Sequence, residues 1–104
     1  MCGIAGYIAN NKLPLNTMVS ALDHRGPDAF GIYETLINKQ YIGLGHTRLS
    51  ILDLSEKGNQ PFVSDDTTIQ LVYNGEIYNF QELKESYLQN ESFKSDTDTE
   101  VILK

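Results

Sequence analysis

The stretch Met1-Cys2-Gly3-Ile4-Ala5-Gly6 opens the chain and holds its only cysteine. Two readings of Cys2 compete. In the first, a small residue begins a buried strand, and the small and apolar run GIAGYIA predicts such a strand over residues 3–9. In the second, removal of Met1 makes Cys2 the chain end, and the chain end is the reacting group. A thiol with an ordinary pKa of about 8.5 is only slightly ionised at neutral pH, so it needs a base. A free α-amino group, with a pKa of roughly 7.7–8.0, would sit on the same residue and take the thiol proton, directly or through a water. Cysteine is small enough to permit methionine removal, and Gly3 leaves room beside it. The rest of the sequence has to choose.

The chain has 104 residues, 40% of them hydrophobic and 21% charged, with a net charge of −6. A chain near this length buries only about 60–65% of its unfolded surface, which allows one modest core and one domain at most. The acidic balance repels phosphate backbones and argues against a nucleic-acid partner. No apolar run approaches the ~20 residues of a membrane span, and no basic start leads into a long apolar segment. A single cysteine forms no internal disulfide, which fits a reducing compartment, so a cytoplasmic location is expected. Asn90-Glu91-Ser92 matches a glycosylation sequon and is read as chance. At the other end, Thr97 or Asp98 would cap a helix begun by Val101, Ile102 and Leu103. That helix stops after about one turn, too short to hold itself. Residues 1–104 are therefore read as the N-terminal part of a longer domain.

Between these ends the pattern is mixed. Pro14 suits a first helical turn, and Leu15, Met18, Val19 and Leu22 follow at i, i+3, i+4 and i+7. Gly26-Pro27 in DHRGPD marks a loop. Phe30–Ile37 and Tyr41–His46 read as strands joined across Asn38-Lys39-Gln40, and RLSILDL (48–54) continues as extended chain. SEKGNQP (55–61) is a polar loop, and IQLVY (69–73) reads as a strand. Asn79 and Glu82 offer a capping box for a helix with Phe80, Leu83, Tyr87 and Leu88 along one side. This order predicts an α+β layered domain and not an alternating parallel one.

Three further stretches carry candidate chemistry. In VYNGEIYN (72–79), Asn74-Gly75 is the usual signal of a tight hairpin. The same pair could instead offer a side-chain amide and an open backbone N–H to a tetrahedral oxyanion, with the Glu76 carboxylate next in line. Arg48, in GHTRLSI (45–51), would be either a structural ion-pair partner or a fork for a substrate carboxylate. Asp98 would be either a helix N-cap or a second carboxylate for a substrate ammonium. Together, one arginine and two carboxylates suit a zwitterionic amino acid, and a cysteine with an oxyanion hole suits attack on an amide. Free glutamine satisfies both. His24, His46 and Cys2 lack the spacing of zinc ligands, so no metal is expected here. Arg25 and Asp28 are read as locking a loop near the site, and His46 as a packed strand histidine.

In register, MCGIAGYI, RGPD, GHTRLSI, QP, YNGEIYN and DTEVIL closely resemble the glutaminase domain of class II glutamine amidotransferases, most nearly that of the glutamine-hydrolysing asparagine synthetases. The resemblance runs from residue 2 to residue 103. It implies an amino-terminal-nucleophile hydrolase fold, a four-layer αββα sandwich with antiparallel sheets, incomplete here at its C-terminal side. It implies Cys2 as nucleophile, Asn74 and Gly75 as oxyanion hole, and Arg48 on the glutamine α-carboxylate. Backbone groups of Leu49, Ser50, Ile51 and Leu52 would line that side, and Glu76 and Asp98 would hold the amino group. A glutamyl thioester would form and ammonia would pass to a C-terminal synthetase domain of the same chain. There ATP and Mg²⁺ would activate aspartate for conversion to asparagine. No cofactor is expected in residues 1–104, where GLGH lacks the Lys-Ser/Thr of a phosphate loop. A homodimer of the full-length protein is a further expectation.

The alternatives are an amidotransferase with a sugar or peptide acceptor and a truncated, non-catalytic module. Leu49 speaks against the sugar-phosphate amidotransferases, which usually carry an aromatic residue after the arginine.

Overall fold

The computed structural model describes all of Met1–Lys104. It is α+β, with antiparallel pairing in both sheets. Strand β1 (Gly3–Ala9) and β2 (Ala29–Ile37) flank β3 (Gln40–Arg48) in the order β1-β3-β2. Helix α1 (Leu15–Ser20) covers one face and buries Leu15 and Val19 against it. The helix can lie this close because β3 has glycines beneath it. A Cβ on Gly45 would collide with Val19 Cγ2, and one on Gly43 would stand 3.1 Å from Leu15 Cδ2.

The central hairpin forms where its pattern predicts, with a shorter connection. Asn38 and Lys39 alone make the turn, at φ 50° and 65°. Two consecutive positive φ values are the geometry that matches the twist of paired strands. Gln40 is the first residue of β3, and the strand runs on to Arg48.

Several expectations need correction. Residues 49–54 do not continue as a strand; they leave the sheet and curl around the Arg48 side chain, with Asp53 at φ 49°. Within 69–73 only β5 (Gln70–Leu71) is a strand, paired with β4 (Phe62–Val63). The polar loop contains a 3₁₀ turn at Glu56–Gly58. Helix α2 (Phe80–Tyr87) follows Asn79, but the Asn79 side chain makes no capping bond, and Tyr87 is exposed. The last element, Thr99–Leu103, is a 3₁₀ helix, again with no side-chain cap from Asp98.

The sheet face away from α1 matters for the site. In register, Ile4 pairs with His46 and Ile8 with Ile42, so these side chains share that face. Ile4 and Ile8 are exposed, whereas His46 and Arg48 at the other end of β3 are buried under the 49–60 segment.

Candidate active site

Cys2 stands where β1 begins, and several groups hold it there. The Gly3 N–H donates to Thr47 Oγ1 at 3.1 Å, and that hydroxyl donates to the Leu22 carbonyl at 3.2 Å. Arg25 Nε donates to the Cys2 carbonyl at 3.0 Å. The Leu49 N–H points at Cys2 Sγ, 3.4 Å away. Thus the thiol rests against the backbone just past Arg48. Asp28 locks the same region, since its Oδ2 accepts from the Ser50 N–H at 2.7 Å. Both ends of RGPD therefore brace the site, as expected.

Arg48 does not make the structural ion pair that was one of its two readings. No carboxylate lies within ion-pair distance of it. Instead Nη1 donates to the Ser55 carbonyl at 2.6 Å and to Asn59 Oδ1 at 2.9 Å, and Nη2 donates to the Leu52 carbonyl at 3.0 Å and to that of Asp53. The guanidinium is the post around which 49–59 is wound. Asp53 then carries the arrangement outward. Its carboxylate accepts from the Ser55 N–H and hydroxyl and from the Asp96 N–H at 2.9 Å. These bonds, the Ser55 hydroxyl first among them, lower its pKa to about 2.

Asn74-Gly75 is not a hairpin turn, for neither residue has positive φ. The stretch is held at both ends by side chains. Gln60 binds the backbone of Tyr73, with Oε1 accepting from the N–H at 2.6 Å and Nε2 donating to the carbonyl at 3.2 Å. Asp98 Oδ2 accepts from the Ile77 N–H at 2.7 Å, which is what this carboxylate does instead of capping the helix. Asp98 is buried and Glu76 is exposed.

These parts converge. A cleft of about 260 Å³ is lined by Cys2, Arg48, Leu49, Ile51, Leu52, Asn74, Gly75, Glu76 and Asp98. Of the candidates read from the sequence only Ser50 lies outside it. Met1, Gln60, Tyr73 and His46 also line it, and sequence reasoning gave them no part in a site. The QP motif was the one visible trace of Gln60.

His46 is 1% exposed, and neither ring nitrogen has a hydrogen-bond partner. Burial is the main cause that lowers its pKa to about 4; the nearby Tyr73 backbone, short of good hydrogen-bond geometry, opposes this, and the Arg48 charge adds to the effect of burial. The ring is therefore neutral when folded but takes up a proton near pH 6.5 when unfolded. Stability should rise with pH between about 4 and 6.5, by about 3 kcal/mol across that window. It is fully present above the window and lost as pH falls through it. Urea midpoints for His46→Gln should be flatter than wild type between pH 4 and 6.5; equal slopes would place the titration elsewhere.

A cysteine, an arginine and two carboxylates thus meet in one small cleft of an antiparallel α+β domain. The chain belongs to the glutamine amidotransferase domain family, whose model matches residues 1–104. Over all of its length it is 48% identical to the Methanocaldococcus jannaschii protein named "Putative asparagine synthetase (glutamine-hydrolyzing) 2", covering 23% of that protein. It is 39% identical to asparagine synthetase (glutamine-hydrolyzing) 1 of Bacillus subtilis and 35% identical to amidase chry2 of Gibberella zeae. In both cases 99% of this chain aligns with 17% of the relative. The chain thus spans about a fifth of the length of the curated relatives it matches. The family read from the six motifs is borne out. No helix is long and apolar enough to cross a membrane.

Proposed function

We propose that residues 1–104 are the N-terminal part of a glutaminase domain that releases ammonia from L-glutamine. The observation that carries this is the single cleft lined by Cys2, Arg48, Asn74-Gly75 and Asp98, residues far apart in sequence. With Met1 removed, the Cys2 α-amine takes the thiol proton and sulfur attacks the side-chain amide carbon. The oxyanion that forms is held by the Asn74 amide and the Gly75 N–H. The C–N bond breaks, ammonia departs with the proton, and a glutamyl thioester remains. Water then adds to the thioester, glutamate leaves, and the thiol is restored. Arg48 is the counter-charge for the substrate α-carboxylate, beside the backbone of Leu49–Leu52. Glu76 and Asp98 hold the ammonium. The lone thiol of residues 1–104 fits a reducing compartment, and a cytoplasmic location is part of this reading.

The relatives named as asparagine synthetases support a destination for the ammonia: a synthetase domain of the same polypeptide that amidates aspartate with ATP and Mg²⁺. These residues do not fit those cofactors. Gly43 and Gly45 lie within β3 beneath α1, so GLGH is strand and not a phosphate-cradling loop. The exposed Ile4 and Ile8 support a second sheet stacked on that face, as in a four-layer sandwich. A homodimer rests on the resemblance alone. The likeness to amidase chry2 favours a second reading, the same glutaminase with another acceptor.

An electrophilic glutamine analogue tests the proposal. Incubated with the full polypeptide, it should add one equivalent of mass to a peptide that begins at Cys2, and glutamine should protect. Labelling elsewhere, or none, would overturn it.

A further inference from the structure

We infer that Gln60 is a positioning residue for the oxyanion hole, a two-point clamp that holds the backbone from which Asn74 and Gly75 project. The inference rests on the role proposed above for those two residues.

The argument begins with the register of the small sheet. Phe62 pairs with Leu71 and Val63 with Gln70. Extending that antiparallel ladder past its end sets Gln60 opposite Tyr73. The ladder stops before reaching them: Pro61 has no N–H to offer it, and the backbone of Gln60 lies against the large sheet. Its carbonyl packs on Gly31 of β2 so closely that a Cβ on Gly31 would collide with the oxygen and stand 3.0 Å from the carbonyl carbon. The side chain of Gln60 then makes the pairing that its backbone does not. It offers Tyr73 one acceptor, at 2.6 Å, and one donor, at 3.2 Å, as a neighbouring strand would.

This links the large sheet to the cleft. Gly31 seats Gln60, Gln60 fixes both polar groups of Tyr73, and the Tyr73 carbonyl sets the plane of the peptide that leads into Asn74. Four residues on, Asp98 holds the Ile77 N–H. The segment that carries the proposed donors is pinned at each end, while Asn74 and Gly75 spend no donor on the protein. Donors fixed before the charge develops are worth most in the transition state, and small misplacement is costly. Gln60 is 8% exposed, so water does not easily take over its two bonds.

Glutamate is close in shape to glutamine, so the test uses Gln60→Glu and Gln60→Leu in the full polypeptide. Glutaminase kcat and KM are measured across pH and normalised to folded protein. In Q60E the introduced carboxylate, when ionised, accepts from the Tyr73 N–H but repels the Tyr73 carbonyl oxygen; protonated, it can donate there. The Q60E to wild-type ratio of kcat should therefore be about 10⁻² at neutral pH and climb as pH falls. The Q60L ratio should be equally low and flat with pH. KM should stay within a few-fold in both, since Arg48 and Asp98 hold the ground state. A kcat per folded molecule near wild type, or a flat Q60E ratio, overturns the clamp. If Q60L does not fold, the pH dependence of Q60E decides by itself. A wild-type polypeptide that hydrolyses no glutamine overturns the clamp together with the reading beneath it.

Discussion

Cys2→Ala, made in the full polypeptide, should reduce glutamine-dependent product formation by about 10⁴-fold or more and leave ammonia-dependent formation intact. The asymmetry is the informative part. Loss of the thiol removes the only proposed nucleophile, and no other thiol exists in these residues to replace it. The scaffold has little reason to fail. Cys2 is only half-buried, and the bonds that hold its position run through the Cys2 carbonyl and the Gly3 N–H, which alanine keeps. A second arm tests the base. A polypeptide that keeps Met1 has a peptide nitrogen at Cys2, and a peptide nitrogen takes no proton from a thiol. It should be as inactive with glutamine as Cys2→Ala, although every side chain is present. Product and glutamate are measured with each nitrogen donor, and terminal sequencing reports the processing. Undiminished glutaminase in Cys2→Ala would remove the thioester route. Activity with Met1 in place would remove the amine as base and leave the thiol.

Much of the scaffold was legible because its signals were local and repeated. The β1 run, the i, i+3, i+4, i+7 stripe of α1 and the two long strands each spread one message over several residues. The misreadings were of two kinds: runs read as extended, 49–54 and most of 69–73, that do not pair, and short signals with two possible meanings. Asn74-Gly75 carries the stronger hairpin signal, yet Asn38-Lys39 makes the turn. The difference lies in the flanks, since Ile37 and Gln40 continue into a paired ladder. The residues beside Asn74-Gly75 are held by the side chains of Gln60 and Asp98. Asp98 was likewise readable as a cap, because nothing local announces that its carboxylate reaches back to Ile77.

The candidate residues were legible as a group and not in their wiring. One cleft gathers nearly all of them. How each is held depends on backbone groups, which a sequence does not distinguish. The carbonyls of Leu52, Asp53 and Ser55 around Arg48 could not be foreseen from the residue names. Nor could the Gln60 clamp, which follows from the close seat at Gly31.

Arg48→Lys should raise KM for glutamine about 30-fold with kcat close to wild type. In this structure the guanidinium spends its Nη hydrogens on the 49–59 segment and makes no direct ion pair. At 5% exposure that is a costly state, offset by carbonyl dipoles and by the more distant Asp53 charge. A substrate carboxylate in the cleft would bring a negative charge into direct contact, through the remaining Nε–H or in place of a carbonyl. Lysine keeps the charge and loses the fork. Its donors diverge from one nitrogen and do not span Leu52, Ser55 and Asn59 together. One charged hydrogen bond lost is worth about 2 kcal/mol, or roughly 30-fold. Because the carboxylate takes no part in bond breaking, the loss should fall on substrate and transition state alike, and so on KM. Arg48→Met separates the structural role from the binding role. Loop carbonyls would be left without donors, at about 1–3 kcal/mol each, and slack would pass through Asp53 to Asp96 and the segment that carries Asp98. Its urea midpoint should fall sharply while that of Arg48→Lys falls less. A lysine variant with KM within two-fold of wild type would assign Arg48 to the loop alone and leave the carboxylate to the backbone of Leu49–Leu52.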